Sequence, residues 1–209
     1  MLKNEVRGID QRILEILEED GIERFYPPQR EAFPLCLEGK HLVLSVPTAA
    51  GKSLVAYIGI IQKLLREGGK ALYIVPLKAL AREKYEALSR FKKIGLKVGI
   101  STGDLTRSVP RLARYDIIVC TSEKADSLIR HQASWLWRVN ILVVDEIHLL
   151  NDPGRGPTLE VVISRMRRIN PDLQIIALSA TIRNAEDIAN WLDAELVKSD
   201  WRPVKLKEG

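Results

Sequence analysis

Leu42-Val43-Leu44-Ser45-Val46-Pro47-Thr48-Ala49-Ala50-Gly51-Lys52-Ser53 is the stretch on which the reading of this chain turns. A strand-like apolar run feeds a Gly-Lys-Ser turn, and residues at helical spacing follow it. In such a loop Gly51 lets the backbone approach phosphate groups, and Lys52 brings a point charge to the β- and γ-phosphates. Ser53 offers its hydroxyl to a magnesium ion, and the dipole of the following helix favours the anion. Thr48, Ala49 and Ala50 complete the expected cradle. One departure is visible: the pattern G-x-x-x-x-G-K-[ST] would put glycine where this chain has Val46. On this stretch alone, a chance Gly-Lys-Ser at a helix start remains the competing reading.

Working outward, short apolar runs rich in β-branched residues recur at 42–46, 71–75, 97–100, 116–120, 141–144, 175–178 and 195–197. Most are too continuous for strands with one solvated face. Helix-period segments lie between several of them, at 53–66, 80–91, 123–130, 158–168 and 185–192. This alternation predicts the α/β class, a mainly parallel sheet with helices on both faces. Ahead of it, Asp10 is placed to cap a short amphipathic helix that stops near Gly21.

Composition is that of a globular protein, with 46% hydrophobic and 28% charged residues over 209 positions. The net charge of +5 favours polyanionic partners. Cys36 and Cys120 form no C-x-x-C pair and sit in apolar surroundings, so buried free thiols in a reducing compartment are expected. The first residues lack the apolar core of a signal peptide, and no segment reaches the roughly 18 unbroken apolar residues of a membrane span. A cytoplasmic protein without a membrane partner is the expectation.

A second motif strengthens the first. Ile141-Leu142-Val143-Val144 runs straight into Asp145-Glu146-Ile147-His148, which puts two carboxylates at the C-terminal end of a strand, where α/β sheets place ligands. Asp145 would hold magnesium, and Glu146 would orient and deprotonate an attacking water. The bland alternative is a solvated acidic turn. Together the two motifs point to hydrolysis of a nucleoside triphosphate.

With Ser179-Ala180-Thr181 after the run at 174–178, the set resembles the first motor domain of a superfamily 2 helicase of the DExH type. Pro27-Pro28-Gln29-Arg30-Glu31-Ala32 resembles the adenine-reading Q motif, and Pro76-Leu77-Lys78-Ala79-Leu80-Ala81 resembles motif Ia. The stretch 121–127 resembles motif Ib, while Gly154-Arg155-Gly156-Pro157 and Trp201-Arg202-Pro203-Val204 are similar to the Ski-two-like branch. Within it the chain resembles archaeal Hjm-type DNA helicases, kin to the helicase region of polymerase theta.

That resemblance implies a RecA-like P-loop domain at 25–200, a helical appendage at 1–24, and at 201–209 the start of a connection to a second motor domain. The second domain would bring arginine fingers, with winged-helix and ratchet domains beyond it, so 1–209 alone is expected to bind ATP and turn it over poorly. It also implies 3′–5′ translocation on single-stranded or branched DNA in repair or stalled-fork processing, with ATP and Mg2+ as cofactors and a monomeric state. Gln29 would hydrogen-bond adenine and Phe25 stack on it. Lys78, Arg82, Thr121 and Ser122 would grip nucleic-acid phosphates, although Thr121 and Ser122 could equally be helix caps and Arg82 part of a solvated face. His148, Ser179 and Thr181 would couple nucleotide state to strand movement. Arg107, Arg111 and Arg114 have helical spacing, and a solvated face is the favoured reading there. An RNA-acting relative, or a nucleotide- and nucleic-acid-binding module without turnover, are the alternative functions. A small kinase is disfavoured, because it has no use for the 145–148 and 179–181 motifs.

Overall fold

The computed structural model describes residues 2, 5–103 and 109–203. Arg107 and the stretch 204–209 of the expected connection therefore lie outside the described residues. Among the described residues seven strands form one all-parallel sheet: β1 (Leu42–Ser45), β2 (Lys70–Val75), β3 (Val98–Ser101), β4 (Ile117–Thr121), β5 (Val139–Val144), β6 (Gln174–Ser179) and β7 (Glu195–Lys198). Their order across the sheet is β3-β4-β2-β5-β6-β1-β7.

The continuous apolar runs have a direct cause, since successive side chains of a strand point to opposite faces and here both faces are covered. Ala71, Tyr73 and Val75 of β2 enter one core, and Leu72 and Ile74 enter the other. On β5, Ile141 and Val143 divide from Leu142 and Val144 in the same way. The first core is closed by α1 (Gln11–Glu19), α2 (Pro27–Leu37), α3 (Lys52–Glu67) and α4 (Lys78–Ser89). A short α5 (Val109–Leu112) precedes β4, and the second core is closed mainly by α6 (Ser122–Arg130), α7 (Gly156–Ile169) and α8 (Ala185–Leu192).

Helix α1 is capped by the Asp10 side chain, which accepts from Arg12 N–H, a contact typically worth about 1 kcal/mol. Its apolar face, Ile13, Leu14, Ile16 and Leu17, is buried in the same core as α2 and α3. Further ties are Asp10 N–H to Gln62 Oε1 at 2.7 Å and Phe25 N–H to Glu5 Oε2 at 2.8 Å. Cys36 and Cys120 are free and buried, and burial pushes both thiols up to about 12. No helix among the described residues is long and apolar enough to cross a membrane.

The strand order matters for chemistry. Strands β5, β6 and β1 are neighbours, so the loops leaving their C-terminal ends meet. Those loops begin at Asp145, Ala180 and Val46.

Candidate active site

The loop after β1 is held by its neighbours before any ligand is considered. Val46 N–H continues the sheet pairing by donating to Ser179 O at 3.2 Å, and the Val46 side chain is fully buried in the first core. This accounts for valine at the usual glycine position. The left-handed turns fall instead at Ala49 (φ 70°) and Gly51 (φ 76°). At Gly51 glycine is required twice over, by that φ and because a Cβ would collide with the Gln29 amide. Helix α3 then starts at Lys52 with no side chain capping it. Its first N–H groups and dipole are left to an anion.

Gln29 supports this loop. Its Oε1 accepts from Tyr26 N–H at 2.8 Å and its Nε2 donates to Gly51 O at 3.0 Å. One donor hydrogen and one acceptor lone pair of the amide stay uncommitted, enough for one face of a nucleobase. Gln29, Tyr26, Leu54 and Tyr57 line a cavity of about 450 Å³ together with Gly51 and with Gly21, Ile22 and Arg24. Residues of the N-terminal stretch therefore wall the same cavity as the phosphate loop.

The expected stacking role of Phe25 needs correction. Its ring is only 2% exposed and packs edge-on against Phe33 at 4.7 Å between centroids, so it has no free face for a base. Of these two consecutive aromatics the one at the cavity is Tyr26, whose ring meets Trp201 at 4.6 Å.

The carboxylates come from the end of β5. Asp145 N–H donates to Ile74 O at 2.9 Å, which fixes the turn, and Glu146 follows with left-handed backbone (φ 55°). Glu146 Oε1 lies 3.8 Å from Lys52 Nζ, while its Oε2 lies 3.3 Å from His148 Nδ1. The same Nδ1 is 3.3 Å from Ser179 Oγ. Lys52, Glu146, His148 and Ser179 thus form one polar chain across the ends of β1, β5 and β6. Below it, Ser45 Oγ donates to Ala180 O at 3.3 Å and accepts from Ile182 N–H at 3.4 Å, tying the 179–181 turn to β1. Thr181 itself is exposed.

Asp145 is 4% exposed and well supplied with partners. Tyr73 donates its hydroxyl to Asp145 Oδ2 at 3.1 Å, and burial, followed by the charge of Asp145, raises the Tyr73 pKa well above its usual range. Lys84 of α4 reaches the same oxygen at 3.6 Å and donates to Ser53 Oγ at 3.2 Å. Neither Tyr73 nor Lys84 was singled out from sequence. Lys84 had a signal: Ala81, Lys84 and Leu88 share one face of α4 and are all buried, so a charge sat in an otherwise apolar stripe.

A hydroxyl and a carboxylate are hard oxygen donors that suit magnesium. No cluster of three or more His, Cys, Asp or Glu able to hold a metal exists among the described residues. Magnesium bound through one carboxylate, waters and substrate phosphates needs none, so the residues present fit that ion. A cation already lies between Ser53 and Asp145, in the form of the Lys84 ammonium.

The nucleic-acid candidates follow β2 and β4 on the same edge of the sheet. Lys78 opens α4 and is exposed. Arg82 is paired with Glu86 at 3.0 Å, with both side chains largely in water, an arrangement worth at most about 1 kcal/mol and easily exchanged for a phosphate. Thr121 caps α6 by accepting from Lys124 N–H at 3.4 Å, and it and Ser122 are 6% and 5% exposed. Thr121 thus takes the capping position that the sequence had left open, while Ser122 is buried at the first turn of α6.

Comparison with known proteins adds three findings. The family described as "DEAD/DEAH box helicase" matches residues 26–188. The chain is 54% identical over 202 residues to "ATP-dependent DNA helicase Hel308" of Thermococcus kodakarensis, covering 96% of this chain and 18% of that one. It is 51% identical over 209 residues to the protein of the same name from Pyrococcus horikoshii, covering all of this chain and 29% of the relative. The chain therefore spans less than a third of the length of these relatives. Among solved structures, that of the DUF1998 helicase MrfA bound to DNA superposes with a TM-score of 0.82 at 26% identity, over 93% of this chain and 30% of that one. A hypothetical ATP-dependent RNA helicase from Sulfolobus tokodaii shares the fold, with a TM-score of 0.76 at 20% identity over 91% and 57% of the two chains.

Proposed function

The chain belongs to the DEAD/DEAH box helicase family, and from that premise we propose that it is the first RecA-like motor domain of an ATP-dependent 3′–5′ DNA helicase. The observation that carries this reading is the meeting of Lys52, Ser53, Asp145 and Glu146 at one end of the sheet, beside a nucleobase-sized cavity closed by Gln29 and Tyr26.

In the proposed mechanism the adenine enters the 450 Å³ cavity, and the phosphates settle on the N-terminus of α3. Arriving phosphates compete for Lys52 and draw its charge away from Glu146. Glu146 is then free to hold a water and accept its proton, while Asp145 and Ser53 would hold a magnesium ion, which would supply positive charge to offset part of that on the phosphates. His148 touches both Glu146 and Ser179, so a change in Glu146 alters the contacts of the 179–181 turn. Chemistry at β5 is thereby connected to β6 and to whatever docks on that turn.

DNA is favoured over RNA because the relatives at 51–54% identity carry the name DNA helicase. The partners are single-stranded or branched DNA met in repair or at stalled forks, together with a second RecA-like domain of the same protein. Domain bounds of 25–200, a monomeric state and a cytoplasmic location complete the proposal. The discriminating experiment measures ATP turnover of the protein carrying both motor domains, with single-stranded DNA and with RNA of equal length. DNA is expected to stimulate turnover, increasingly so at low salt because the contacts are to phosphates. Equal stimulation by RNA would transfer the proposal to an RNA helicase.

A further inference from the structure

Lys84 occupies a position that the ATP site cannot leave filled. Its ammonium lies 3.2 Å from Ser53 Oγ and 3.6 Å from Asp145 Oδ2, the two oxygen groups assigned to magnesium, and the residue is only 7% exposed. Asp145 is buried too, and a buried carboxylate needs a counter-charge or dense hydrogen bonding. Tyr73 and the Glu146 N–H supply part of this, and Lys84 supplies the charge. Asp145 Oδ2, Ser53 Oγ and Glu83 Oε1 all lie within reach of the Lys84 ammonium. A dication on the same oxygens would face that charge across a few ångströms of poorly screened interior. Lys84 would also keep a partner on leaving: Nζ already donates to Glu83 Oε1 at 2.9 Å, and the Glu83 side chain is 63% exposed.

We propose that Lys84 is the resident counter-ion of the divalent-metal position: it neutralises Asp145 and occupies Ser53 while the nucleotide site is empty, excludes free magnesium, and swings outward, releasing both but keeping Glu83, when Mg·ATP arrives. The inference rests on the ATP-site reading above. Lys84 is a positioning residue here, because it acts through Asp145 and Ser53. The domain consequently binds metal with nucleotide, whose phosphates add the negative charge that Lys84 otherwise offsets. Lys84 also shares α4 with Lys78 and Arg82, so its outward swing begins on the helix proposed to face DNA.

The test uses Mn2+ as an EPR-visible probe on the 209-residue chain, without and with a non-hydrolysable ATP analogue. Wild-type protein is expected to bind Mn2+ appreciably only with the analogue. Lys84→Met is expected to bind Mn2+ without it, roughly tenfold or more tighter than wild type, since it removes a full positive charge from the site. Adding Asp145→Asn to Lys84→Met should abolish that gain, and Lys84→Arg, which keeps the charge, should not show it. Equal Mn2+ affinity of wild type and a folded Lys84→Met without nucleotide would overturn the inference and leave the ATP-site reading intact. Failure of the wild type to bind the metal-nucleotide complex would overturn both. If Lys84→Met does not fold, ζ-15N-lysine NMR of the wild type decides. One protected ammonium signal should disappear on adding the Mg2+ complex of the analogue, and its persistence would contradict the swing.

Discussion

Glu146→Gln, placed in the protein with both motor domains, is expected to lower DNA-stimulated ATP turnover about 10²–10⁴-fold while Mg·ATP still binds. That range is typical for loss of a general base. The amide keeps the size of the side chain, so packing around Ile147 and the turn after β5 is undisturbed. What is lost is the basic oxygen and the negative charge that stands 3.8 Å from Lys52. Removing that charge frees Lys52 for phosphate, so affinity for Mg·ATP should hold or rise. The two halves are read separately, turnover by phosphate release and binding by titration with a fluorescent nucleotide. Turnover surviving at wild-type level would remove Glu146 from the chemistry and leave it as a structural partner of Lys52 and His148.

A second large effect concerns what the site lacks on its open side. The cations within ion-pair distance of Asp145 and Glu146 are Lys52 and Lys84, with the His148 ring also beside Glu146 and no arginine at that distance among the described residues. An arginine finger stabilises charge on the transferring phosphoryl group and is worth about 10³–10⁵ in rate, equivalent to roughly 4–7 kcal/mol of barrier. The 209-residue chain alone should therefore turn over ATP about 10³–10⁵-fold more slowly than a DNA-stimulated protein that includes a second motor domain. Single-turnover hydrolysis in both proteins, with DNA saturating, measures the ratio. A ratio near one would mean that the first domain carries its full catalytic set.

The architecture was largely legible because it rests on patterns that local sequence displays. A strand buried on both faces must be apolar throughout, so the central strands stand out as runs; the ends of all the described strands, the partly exposed β7 included, lie within two residues of the expected ones. The positions of candidate residues tied to an element end were equally visible: Asp145 and Glu146 follow β5 directly, and Lys52 opens α3. What stayed hidden depends on which of two adjacent residues turns inward, or on elements far apart in sequence. Phe25 and Tyr26 are consecutive aromatics before two prolines, and packing against Phe33 draws the first into the core and leaves the second at the cavity. Thr121 was ambiguous because capping and phosphate contact ask for the same side chain. Lys84 and Tyr73 reach Asp145 only through tertiary packing of α4 and β2 beside β5. The apolar spacing around Lys84 on α4 carries a hint of a charge turned inward, unused in the sequence reading, and it does not name the partner.

Everything proposed for this chain depends on its holding Mg·ATP at the end of the sheet. Calorimetric titration of Mg·ATP into the 209-residue chain and into Lys52→Ala tests that most directly. Binding by the wild type is predicted, weakened about 10–100-fold in the variant, the loss expected for one charge-assisted contact to phosphate. No heat of binding in the wild type, or equal affinity in the two proteins, would contradict it.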